Sequence, residues 1–71
     1  MKAKKRNRPV TVDDVASIAQ CCQELRYVRD YLRGADANNA ANYVARALKS
    51  AQGALNNAQR MLAKQEREKA T

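Results

Sequence analysis

Seventy-one residues with a formal charge of +7, 14 Lys and Arg against seven Asp and Glu, make at most one small domain. With no His, a metal site would depend on Cys21 and Cys22, and two sequence neighbours do not make a zinc site. No apolar run approaches the ~18 residues of a membrane span, and no phosphate loop or nucleophile elbow is present, so no catalytic residue, cofactor, metal or small-molecule substrate is expected.

The segment from Met1 to Arg8 holds five of the 14 cations and no acid. Like charges at this density repel, and no apolar side chain there anchors a fold. Residues 1–10 are therefore expected to be a flexible basic arm, with Lys4, Lys5, Arg6 and Arg8 as candidate nucleic-acid contacts. The segment lacks the apolar stretch of a secretory signal. Without it, nine cations face seven acids, so most of the net charge resides in the arm. Cys21 and Cys22 point about 100° apart on a helix, which disfavours an internal disulfide and suits the reducing cytoplasm.

Pro9-Val10-Thr11 is the boundary to the first helix. Thr11 is a good N-cap, Asp14 stands where a capping box needs an acceptor, and Asp13 and Asp14 favour the helix dipole. Val15, Ile18, Cys22, Leu25 and Leu32 then recur at spacings of three, four and seven, with Arg29 in the missing slot. The spacing predicts a helix over about 12–33. Arg29 lies near the turn, where its head can snorkel to water; alternatively it marks register or a partner surface.

Gly34 is expected to close that helix in the left-handed conformation, and Asp36 to cap the next. A turn at 34–36 forces antiparallel neighbours. The second helix, expected over about 37–67, has a strict heptad seam of Ala41, Val44, Leu48, Ala51, Leu55, Ala58 and Leu62. Its polar end, Lys64 to Lys69, is expected to fray. Folding the chain at residue 35 places opposite each other pairs whose numbers sum to about 70, and the two seams meet, making residues 11–71 an all-α antiparallel hairpin.

One hairpin does not use all of this apolar surface. Ala40, Tyr43, Ala47, Ala54 and Met61 form a second stripe on helix 2, and Cys21, Val28 and Tyr31 widen helix 1. Packing a second hairpin on that stripe gives a homodimeric four-helix bundle, the expected oligomer.

Two further surfaces are candidates for binding. Arg26, Tyr27, Tyr31 and Arg33 combine residue types favoured at protein interfaces and suit docking onto a larger protein. On helix 2, Arg46, Lys49, Arg60, Lys64 and Arg67 fall within about 60° of each other and span about 32 Å, a line able to follow a phosphate backbone. A small non-enzymatic regulator that binds a protein is the leading expectation, with nucleic-acid binding through that line and the arm as the alternative.

The segment Asn38-Asn39-Ala40-Ala41-Asn42-Tyr43-Val44-Ala45-Arg46-Ala47-Leu48-Lys49-Ser50-Ala51-Gln52-Gly53-Ala54-Leu55 resembles small helical accessory proteins of temperate phages, over about a quarter of the chain. The resemblance implies a bacterial or phage cytoplasm and a modulatory role. The Ala/Leu seam is similar in architecture to the repressor-of-primer hairpins of plasmids, dimeric four-helix bundles that bind paired RNA loops. That likeness concerns fold alone.

Overall fold

The computed structural model describes residues 9–70, apart from the side chain of Ala70. Two helices, α1 (Val12–Gly34) and α2 (Asn38–Ala70), pack against each other as a hairpin. The expected arm falls largely on residues 1–8, outside the described residues.

The start of α1 follows from its side chains. The Thr11 Oγ1 accepts from the Asp14 backbone N–H at 3.1 Å, and the Asp14 Oδ2 accepts from the Thr11 N–H at 2.9 Å. This reciprocal capping box satisfies two donors that the first turn leaves without helical partners.

The turn differs from the sequence expectation in two ways. Gly34 is the last residue of α1 and has no positive φ; Asp36, with φ of 62°, takes the left-handed conformation. The Ala37 N–H donates to the Leu32 carbonyl at 2.9 Å and the Asp36 N–H to the Arg33 carbonyl at 3.1 Å. This six-to-one and five-to-two pair is a Schellman closure, which places Asp36 just beyond the cap residue Ala35. Asp36 is therefore spent on ending α1 and is not the N-cap of α2. That position falls to Ala37, whose carbonyl accepts the first α2 bond from the Ala41 N–H at 2.9 Å.

The core is one seam deep. Cys22, Ala41, Leu48 and Ala58 are buried; Val15, Ile18, Leu25, Arg29, Leu32, Val44, Ala51, Leu55 and Leu62 are half-buried along the same line. The heptad positions of both helices thus meet, with Arg29 taking the slot that its spacing assigns. Its Nε pairs with the Asp30 Oδ1 at 3.0 Å, so the half-buried guanidinium is neutralised at the seam edge.

The open end brings a second departure. Helix α2 continues without a break through Lys64–Lys69, and it holds the entry to α1. The Gln65 amide donates to the Val10 carbonyl at 2.8 Å and its Oε1 accepts from the Val10 N–H at 3.0 Å. Both backbone polar groups of one residue are thereby satisfied by one side chain. Val10, the last residue of the expected arm, is accordingly tied to α2.

Candidate interaction surfaces

The seam sorts every other residue by direction. In each helix, residues that neither occupy nor flank the seam form an outer edge, directed away from the partner helix. The two outer edges carry opposite charge. On α1 the charged residues of this edge are Asp13, Glu24 and Asp30, all exposed, with no cation among them. On α2 they are Arg46, Lys49, Arg60, Lys64 and Arg67, all exposed, with no carboxylate among them. The hairpin is thus electrostatically two-edged, which the near balance of charge over residues 9–70 conceals.

The five expected phosphate-contact residues of α2 therefore do share one edge. Among the described residues, Lys49, Arg60, Lys64 and Arg67 make no ion pair. The Arg46 guanidinium lies 5.8 Å from the Tyr43 ring centroid, a cation–π geometry. The remaining nucleic-acid candidates, Lys4, Lys5, Arg6 and Arg8, lie outside the described residues.

Gly53 stands in this line, seven residues from both Arg46 and Arg60. A methyl group at its Cα would meet nothing within 4 Å beyond its chain neighbours and its own helix backbone. Its backbone is helical, without positive φ. Neither packing nor conformation inside the hairpin calls for glycine there, although glycine in a helix interior costs about 0.8–1.0 kcal/mol relative to alanine.

The expected docking residues divide. Tyr27 and Tyr31, one helical turn apart on the α1 outer edge, stack with ring centroids 6.5 Å apart and planes 23° from parallel. They remain 72 % and 67 % exposed, so the stack presents aromatic surface outward. Arg26 and Arg33 are exposed as well, but they flank the seam and stand beside the tyrosines, not among them. Next to them, the Arg29 guanidinium holds the Asp30 carboxyl below the usual aspartate range, first through their hydrogen bond and then through charge, to which Arg33 adds.

The residues of the second stripe are all exposed. Ala40, Ala47, Ala54 and Met61 lie on one line at heptad spacing beside the seam, with Tyr43 a step outward. A two-fold axis through the seam relates antiparallel helices, so like flanks lie together. Cys21 and Val28, each one residue before a seam position, therefore share this side with the alanine line. Both are exposed, Cys21 as a free thiol.

Gln65 and Val10 were not among the expected functional residues. The available signal was a glutamine continuing the line of Val44, Ala51 and Ala58 at heptad spacing, a polar residue where the seam calls for an apolar one. Pro9, Val10, Leu62 and Gln65 help to line an open cleft of about 600 Å³ at this end. Among the described residues, no group of His, Cys, Asp and Glu is placed to hold a metal ion, and no helix is long and apolar enough to cross a membrane. Comparison of the chain with protein-family models, with curated proteins and with solved structures gives no match.

Proposed function

We propose that this chain is a small non-enzymatic interaction protein that self-associates through one broad side of its hairpin and docks onto a partner protein through α1. The stacked, outward-facing Tyr27–Tyr31 pair beside Arg26 and Arg33 carries this reading. The few residues that carry most of the binding energy at protein interfaces are enriched in tyrosine and arginine, and a ring pair already stacked loses less freedom on binding. Self-association draws its support from the size of the core. Among the described residues the hairpin buries four side chains, two of them alanine, while Val28, Tyr43 and Met61 stay exposed. A second copy over Ala40, Ala47, Ala54 and Met61 would complete a four-helix bundle. The resemblance to phage accessory proteins supports a modulatory role in a bacterial cytoplasm.

The docking reading is tested by purifying the full chain from its host cells and identifying any stoichiometric protein partner. Affinity for that partner is then measured with Tyr27→Ala/Tyr31→Ala. A loss of at least tenfold, little changed between low and high salt, is expected; an unchanged affinity refutes the assignment. Sedimentation equilibrium tests the other half. Ala47→Glu and Ala54→Glu are each expected to yield monomers, and an unchanged mass removes the second stripe from the interface.

A further inference from the structure

We infer that the outer edge of α2 is a binding face for the phosphate backbone of duplex nucleic acid, and that Gly53 is the point of closest approach. This goes beyond protein docking and occupies a different edge of the molecule.

Three observations converge on it. The first is segregation. The α2 edge presents Arg46, Lys49, Arg60, Lys64 and Arg67 with no carboxylate among them, whereas the α1 edge presents Asp13, Glu24 and Asp30. A solvated helix face ordinarily interleaves both signs, which gives i,i+4 pairs and limits self-repulsion. Here the repulsion is retained, and of the two outer edges among the described residues only that of α2 suits a polyanion.

The second is extent. From Arg46 to Arg67 the edge runs about 32 Å at ~1.5 Å per residue, close to one turn of a duplex. Arg46, Arg60 and Arg67 stand on one heptad line, with Lys49 and Lys64 to either side. Such a line can meet phosphates where the strands cross one face of a duplex without reading bases, and the few aromatic residues on this edge agree with backbone contact.

The third is Gly53. It occupies the one place between Arg46 and Arg67 on this heptad line without a cation, and apart from its chain neighbours and its own helix backbone nothing described in the hairpin comes within 4 Å of where its Cβ would be. Intramolecular packing therefore leaves the glycine unexplained. A residue without a side chain, set between cations, lets a ligand reach the helix surface while the neighbouring arginines and Lys49 close on its phosphates.

The test uses the full chain and a fluorescein-labelled 20-base-pair DNA duplex, with anisotropy followed from 50 to 300 mM salt. Lys49→Gln, Arg60→Gln and Arg67→Gln are each expected to flatten the slope of log K against log salt by about 0.9, the effect of one phosphate contact. Gly53→Ala is expected to raise the melting temperature while lowering affinity at least fivefold. A merely structural glycine would give the first effect without the second. Tyr27→Ala/Tyr31→Ala is expected to keep DNA affinity within twofold, which separates this face from the docking surface. The inference is overturned if the three cation variants leave slope and affinity unchanged, or if Gly53→Ala stabilises without weakening binding. It is equally overturned if poly-glutamate binds as tightly as the duplex, or if those variants release a protein partner while DNA binding persists.

Discussion

Exchanging the residues at the turn tests the α1 closure most directly. Asp36 is held at φ of 62°, while Gly34, two residues earlier, is helical. An L-residue in the left-handed region costs roughly 1–2 kcal/mol, with aspartate at the low end because it visits that region more readily than most. Asp36→Gly removes this strain but adds roughly 0.4–1 kcal/mol of unfolded-chain entropy, for a net gain of about 0.5 kcal/mol. At Gly34 the backbone suits alanine and the space around a new Cβ is open. Gly34→Ala should therefore gain about 0.5–1 kcal/mol. The double variant is expected to gain about 1–1.5 kcal/mol, or ~5–10 °C in melting temperature for a chain of this size. Urea and thermal unfolding followed by far-ultraviolet circular dichroism would measure it, at one fixed protein concentration so that the proposed self-association does not shift the midpoint between variants. Asp36→Ala keeps the strain and should gain nothing. A fall in stability on Gly34→Ala would refute the reasoning, since it would make Gly34 the left-handed residue.

Gln65→Ala is expected to cost about 1–3 kcal/mol, because it leaves the part-buried backbone N–H and carbonyl of Val10 without their protein partner; amide exchange should show Val10 losing protection while the turn end keeps its own. Thr11→Ala removes half of the capping box and should lower stability by about 1 kcal/mol in urea unfolding. Leu48→Ala opens a cavity in a seam with little else to fill it, and a loss of about 2–4 kcal/mol should leave the chain largely unfolded by circular dichroism. Asp30 has its carboxyl pKa lowered by Arg29, so this contribution is complete above the unfolded-state value and is lost as pH falls through the lower folded-state value. Carboxyl NMR should find Asp30 titrating below the usual aspartate range in the native chain and moving up in Arg29→Gln.

The parts of this fold that were legible in the sequence are those written at fixed short spacing. Thr11 and Asp14 announce the capping box because each side chain reaches a backbone group three residues away. The α2 seam repeats at three and four without interruption, so its burial followed from period alone. The turn was misread because Gly34 and Asp36 both tolerate a positive φ. The choice between them rests on where the Ala37 N–H finds its carbonyl, and composition carries no trace of that. Gln65 was missed because its partner is a peptide group 55 residues away. The candidate surfaces divide in the same way. The cations of α2 could be counted from the sequence, whereas the empty space around Gly53 and the stack of Tyr27 on Tyr31 are properties of the folded chain.

Cys21 and Cys22 make the hairpin its own chemical clock. One thiol is exposed and its neighbour lies in the core, 1 % accessible. At a concentration low enough to keep the hairpin single, a thiol reagent should therefore modify Cys21 at a rate set by the reagent, and Cys22 only when the helices part. The first rate calibrates the second within one molecule, and their ratio gives the opening equilibrium without denaturant. A ligand or partner that holds the helices together would slow the second reaction, so the same pair can report binding before the partner has been identified.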